Sequence, residues 1–217
     1  LLAVTTTGLT GNDTVVINAT GFGSALPTSR LTVKTGAGND TVSVRHRSTL
    51  TVLPGAGNDT VEAGFGAGTK AVSQTLLGED GNDTITPLGE LVAQYEPDPH
   101  VPTTIPDDTS TVDGGPGADR YLSKNYSSTT TLYATPEDTI ALSVNFLHLR
   151  TGDRSDAVTI HNGWTAGTTI TVAPSGGTRR TVALPNSLTV QQLFLETQGG
   201  DDAITLDGIV PNFPMSF

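Results

Sequence analysis

The chain has no cysteine, three lysines, one tryptophan and one methionine among its 217 residues. Without cysteine, neither a disulfide framework nor a thiolate metal site is possible. Lys and Arg total 11 against 22 Asp and Glu, a formal charge of −11 with a pI near 4.5. So few cations argue against nucleic acid as a partner, because phosphate contacts need Lys and Arg. Aromatic residues make up 5% and hydrophobic residues 35%. That is little for a thick interior, but enough for a thin core that buries one inward row per layer. No apolar run is long enough to span a membrane, and no long stretch has helical periodicity. The chain opens Leu1-Leu2-Ala3-Val4 with neither an initiator Met nor a basic segment, which reads as a processed or excised piece.

What is abundant is threonine, at 37 residues, with 25 Gly and 13 Pro. Threonine favours strands, and Gly with Pro breaks them into turns. The same phrase recurs: GNDTVVI (11–17), GAGNDTVSV (36–44), GAGNDTVEA (55–63) and EDGNDTITP (79–87). Weaker copies are GGPGADRYL (114–122), TPEDTIAL (135–142), GDRSDAVTI (152–160) and GGDDAITL (199–206). Alternating runs such as LTVKT (31–35) and LTVLP (50–54) precede these turns. The unit is therefore strand, Gly/Asp turn, strand, anchored by Asp13, Asp40, Asp59, Asp83, Asp119, Asp138, Asp156 and Asp202. The shortest anchor spacings are 18 and 19 residues, and the longer ones imply insertions. The turn appears about once per unit, on one side. The expected fold is all-β: a right-handed parallel β-solenoid over 1–217, a single domain with Gly-Asn-Asp turns stacked on one edge. Loop insertions are expected at about 88–112, which is Pro-rich, and at 161–180. The long last gap leaves room for a further coil using TTITVAP (168–174) and TVALP (181–185). A β-sandwich with recurrent Asn-Asp turns is the alternative.

The segments Gly36–Val42, Gly55–Val61 and Gly114–Tyr121 resemble the hemolysin-type calcium-binding repeat, the RTX nonapeptide. The resemblance implies a parallel roll with Ca²⁺ between turns. By position it implies carboxylate ligands from Asp40, Asp59, Asp83 and Asp119, with Asp13 weaker and Asp80 and Asp113 as extra ligands. Backbone oxygens of Gly36, Gly38, Gly55, Gly57, Gly81, Gly115 and Gly117 would complete the shell that calcium wants. The pattern departs from the family in that the turn recurs only every second nonapeptide, so one edge alone carries it. Long spacings such as Asp83 to Asp119 are expected to interrupt it. The alternative is a metal-free ladder, because Asn-Asp makes good turns and stacked Asn side chains bond one another.

Other residues carry weaker signals. Arg45, His46 and Arg47 read as a solvated strand face, and His100, His148 and His161 lack ligand spacing. Asn-x-Ser/Thr occurs six times, four of them in the NDT turn itself, where turn chemistry is the simpler account. There is no nucleophile motif or phosphate loop, so no enzymatic activity is expected. Composition and resemblance together suggest an extracellular, bacterial-type surface or fibre protein that self-associates end to end through unguarded terminal strands. Two rivals stand beside it: a polysaccharide lyase or epimerase, and a carbohydrate-binding adhesin module using Trp164 against a glycan.

Overall fold

The computed structural model of the protein describes residues 9–19, 30–46, 49–64, 73–88, 109–122, 129–141, 144–163, 167–184, 190–208 and 215–216. Among them are 19 strands and no helix. The alternation read from the sequence explains why. In Arg30–Ala37 the residues Leu31, Val33 and Thr35 are buried while their neighbours face outward, the period-two pattern of a strand with one covered face.

Apart from four strands that form a third sheet, odd and even strands separate into two sheets. The first runs β1 (Leu9–Thr10), β3 (Arg30–Ala37), β5 (Thr49–Ala56), β7 (Ser73–Leu77), β9 (Thr109–Asp113), β11 (Thr129–Ala134), β13 (Val144–Arg150), β17 (Val190–Glu196) and β19 (Met215–Ser216). The second runs β2 (Thr14–Ala19), β4 (Thr41–His46), β6 (Thr60–Gly64), β8 (Thr84–Leu88), β10 (Arg120–Leu122) and β12 (Thr139–Ala141). All pairings in both are parallel. Each odd strand, its corner and the following even strand make one unit, and successive units lie side by side.

The register stacks like on like. Leu76, Val112, Leu132, Leu147 and Leu193 follow one another in the first sheet. Val42, Val61, Ile85, Tyr121 and Ile140 do so in the second. All are buried. Each such side chain withdrawn from water contributes roughly 1.5–3 kcal/mol, so a slip of one residue would expose a whole row.

A third sheet orders β16 (Arg180–Leu184), β15 (Gly167–Pro174), β14 (Asp156–Gly163) and β18 (Ala203–Gly208). Here β14 pairs β18 in parallel, whereas β14–β15 and β15–β16 are antiparallel. The irregular insertion expected at 161–180 is thus mostly a strand hairpin. The segments 168–174 and 181–184 do not form a parallel coil, because β15 runs antiparallel to β14 and β16 antiparallel to β15; residue 185 lies outside the described residues. Of the insertion expected at 88–112, residues 89–108 lie outside the described residues, while Leu88 ends β8 and 109–112 belong to β9.

Candidate functional site

The corner between an odd strand and the next even strand carries the repeated Gly-x-Gly-Asn-Asp phrase, and the corners stack. Each even strand starts by donating a backbone N–H to the anchor Asp of the preceding unit: Thr41 to Asp13 O, Thr60 to Asp40 O, Thr84 to Asp59 O and Arg120 to Asp83 O, all at 2.8 Å. The glycines permit this close stacking. Gly81 sits at φ 141°, a region unfavourable to other residues. A Cβ there would overlap the carbonyl oxygen of Gly57, and a Cβ at Gly55 would overlap Gly36 O.

Two side-chain ladders run along the corner in opposite directions. On the exposed side, the N–H of each unit reaches back to the Asn Oδ1 of the unit before: Asn39 to Asn12, Asn58 to Asn39, Asn82 to Asn58 and Ala118 to Asn82, all at 2.8 Å. On the buried side, each Asp N–H reaches forward to the next Asp Oδ1. Asp13 donates to Asp40 at 2.8 Å, Asp40 to Asp59 at 2.7 Å, Asp59 to Asp83 at 2.8 Å, Asp83 to Asp119 at 2.8 Å and Asp119 to Asp138 at 3.0 Å. The expectation that long spacings interrupt the corner is corrected here. Insertions fall on the opposite side of each unit, between an even strand and the next odd one, so the corners stay stacked from Asp13 to Asp138.

The Asp column is buried, from Asp40 through Asp119. Oδ1 is used by the ladder, but Oδ2 of Asp40, Asp59, Asp83 and Asp119 has no hydrogen-bond partner. Burial is the main force on the titration of Asp83. It pushes Asp83 up to about 7, against the relief from the Asp59 N–H, with the charges of Asp119 and Asp59 adding to the rise. It pushes Asp119 up to about 6, with Asp138 and Asp113 adding. Asp59 and Asp138 are raised by the same cause.

The column ends deliberately at Asp138. Its N–H turns back to Thr135 O at 3.2 Å, and its Oδ2 accepts the Thr135 N–H at 2.7 Å. The phenol of Tyr121 accepts the Gly114 N–H at 3.0 Å and stands 3.3 Å from Asp138 Oδ2. Burial and the Asp138 and Asp119 charges raise that phenol well above its ordinary range. The exposed ladder stops one unit earlier, where Ala118 replaces the asparagine. A second short column begins beyond the break, with Asp156 N–H donating to Asp202 Oδ1 and Asp201 N–H to Ser155 Oγ.

The residues expected to hold calcium divide accordingly. Asp13, Asp40, Asp59, Asp83 and Asp119 fall on one column. Asp80 joins the corner through its backbone, accepting the Gly57 N–H at 2.8 Å, with its side chain exposed. Asp113 accepts the Gly115 N–H at 3.1 Å and is paired with Arg150 at 3.0 Å. The carbonyls of Gly36, Gly38, Gly57 and Gly81 abut the glycine of the next unit, namely Gly55, Gly57, Gly81 and Gly117. Gly115 lies against the Glu79 carbonyl instead. Calcium takes six to eight oxygens, whereas this corner offers one unpartnered carboxylate oxygen per unit. Among the described residues no three His, Asp or Glu side chains gather at one point. Two contributors had no reading as site residues in the sequence: Tyr121, which looks like ordinary core, and Thr135, whose spacing to Asp138 is the only signal of the closing turn.

The fold and corner define an all-β protein of parallel sheets joined by laddered corners. No protein-family model, curated protein or solved structure matches the chain.

Proposed function

We propose that the chain is a non-catalytic structural module: a closed, right-handed parallel β-solenoid that works outside the cell as part of a surface layer, fibre or adhesin and associates end to end. The observation that carries this reading is the uninterrupted corner ladder from Asp13 to Asp138. It ties neighbouring units in both directions, the arrangement expected of an elongated scaffold. End-to-end association is supported by apolar side chains at the two ends of the stack. On β2 the core-facing Val15 and Ile17 are only partly buried, and Ile204 and Leu206 on β18 are 39% and 49% exposed. Ile204 and Leu206 extend the inward rows of Val158 and Ile160, and β18 is the edge strand of that sheet among the described residues.

Two ways of neutralising the Asp column follow from the geometry. Protonation is favoured by its burial and by the raised carboxyls. Ca²⁺ is the second reading, supported by the unpartnered Oδ2 atoms. Thermal melts at pH 5 and pH 8, with calcium or with EGTA, separate them. A proton-neutralised column melts higher at pH 5 and ignores EGTA, whereas a calcium column loses stability to EGTA at pH 8. Sedimentation velocity over a wide concentration range tests the module itself. Linear multimers are expected, and strict monomers at millimolar concentration would overturn the assembly reading.

A further inference from the structure

Between Asp138 and Asp156 the corner column breaks, although their spacing of 18 residues is the shortest in the chain. The cause is the β15–β16 hairpin. In the first sheet β11 and β13 are direct neighbours. On the other side β16 lies against β12, and β15 stands between β16 and β14. Two extra strands open that side to three strand spacings, about 14 Å at ~4.8 Å each. The corner gapes, leaving a cleft of about 600 Å³ lined by both halves of the split corner and by the hairpin turn. That volume lies within the range of small-molecule sites.

Inside it, Asp156 is 2% exposed, yet neither of its carboxylate oxygens has a partner. In an unbroken column one of them would accept the preceding Asp N–H. Here that N–H belongs to Asp138 and is bonded to Thr135 O. Thr151 is also buried with its hydroxyl unpartnered. A buried polar group without a partner is costly, so these two mark where a ligand's donors would go. Arg150, Arg154 and Arg180 line the same cleft together with Glu137, Asp153 and Asp156. Arg150 is held by Asp113 at 3.0 Å and Glu196 at 3.3 Å, and Arg180 by Glu137 at 3.3 Å.

We propose that this cleft binds an acidic saccharide. The sugar's hydroxyls donate to Asp156 and Thr151, and its carboxylate faces Arg154 and Arg180. A guanidinium recognises a carboxylate with two parallel hydrogen bonds, and a carboxylate accepts from two neighbouring hydroxyls in the same way.

The test is calorimetry and saturation-transfer NMR on the whole chain, using a galacturonate trimer, its neutral methyl ester and calcium alone. The acid trimer is expected to bind, with affinity reduced at least tenfold in Asp156→Asn and in Arg154→Ala. Arg45→Ala, remote in β4, is expected to leave it unchanged. Thr151→Val, checked for folding by circular dichroism, supplies an independent variant should Asp156→Asn fold poorly. The proposal is overturned by absence of binding, by equal binding of the methyl ester, by equal loss in Arg45→Ala, or by calcium binding alone that vanishes in Asp156→Asn. None of these readouts reports on self-association, so the two proposals fail separately.

Discussion

The N–H of Asp83 donates to Oδ1 of Asp119 at 2.8 Å, across a sequence separation of 36 residues. Both carboxyls are buried, and burial raises Asp83 to about 7 and Asp119 to about 6 from an ordinary 3.8. The folded state therefore holds protons that the unfolded chain has already released. Stability tracks that difference, so it is fully present below about pH 4 and declines as pH rises toward 7. In calcium-free buffer the melting temperature is expected to be higher at pH 5 than at pH 8, by several degrees. Calorimetric melts across that range check the sign, and a rising melting temperature would refute it.

The hydrogen bond and the charge of one column member can be separated at Asp59, whose Oδ1 accepts the Asp40 N–H. Asp59→Asn keeps an acceptor and removes the charge, so it should flatten the pH profile. Asp59→Ala strands a buried N–H and should cost about 1–3 kcal/mol. The exposed Asp153→Ala should stay within about 0.5 kcal/mol of the parent. Urea unfolding at pH 8 compares the three, and equal effects of Asp59→Ala and Asp153→Ala would remove the column's structural importance.

Glycine is required where backbone meets backbone. Gly81→Ala places a methyl group on the Gly57 carbonyl at a φ of 141° and should cost about 3 kcal/mol or more. Gly176 also has positive φ, at 70°, but open space around it. Gly176→Ala should cost only about 1–2 kcal/mol. Denaturant midpoints rank the pair, and a reversed order would mean that the corner units are not in close contact.

Much of this architecture was legible in the repeats. The eight anchoring aspartates all sit at corners, because turn chemistry and inward alternation recur together in each unit. Spacing misled in both directions. Asp83 and Asp119 looked too far apart to stack, yet the intervening chain leaves on the other side of the unit. Asp138 and Asp156 looked regularly spaced, yet a hairpin from later in the chain enters between their strands. Sequence distance counts residues along one path, whereas stacking depends on which side absorbs an insertion. The orientation of the Asp side chains was also hidden. Asn39 and Asp40 look equally polar, and only strand alternation continuing through Asp40, Val42 and Val44 turns the carboxylate inward.

The end of the stack offers the sharpest test of assembly. Ile204 and Leu206 pair with Val158 and Ile160, which are buried, and so continue the apolar interior into solvent. An exposed strand edge with such a face invites another chain, and charge placed on it repels one. Ile204→Lys with Leu206→Lys should abolish linear multimers in sedimentation velocity. Because both positions are already exposed, the melting temperature should change little, by the equivalent of about 0.5 kcal/mol. Multimers that persist in the double variant would move the contact elsewhere. A collapse in stability would instead show that these side chains are covered within the protein's own fold.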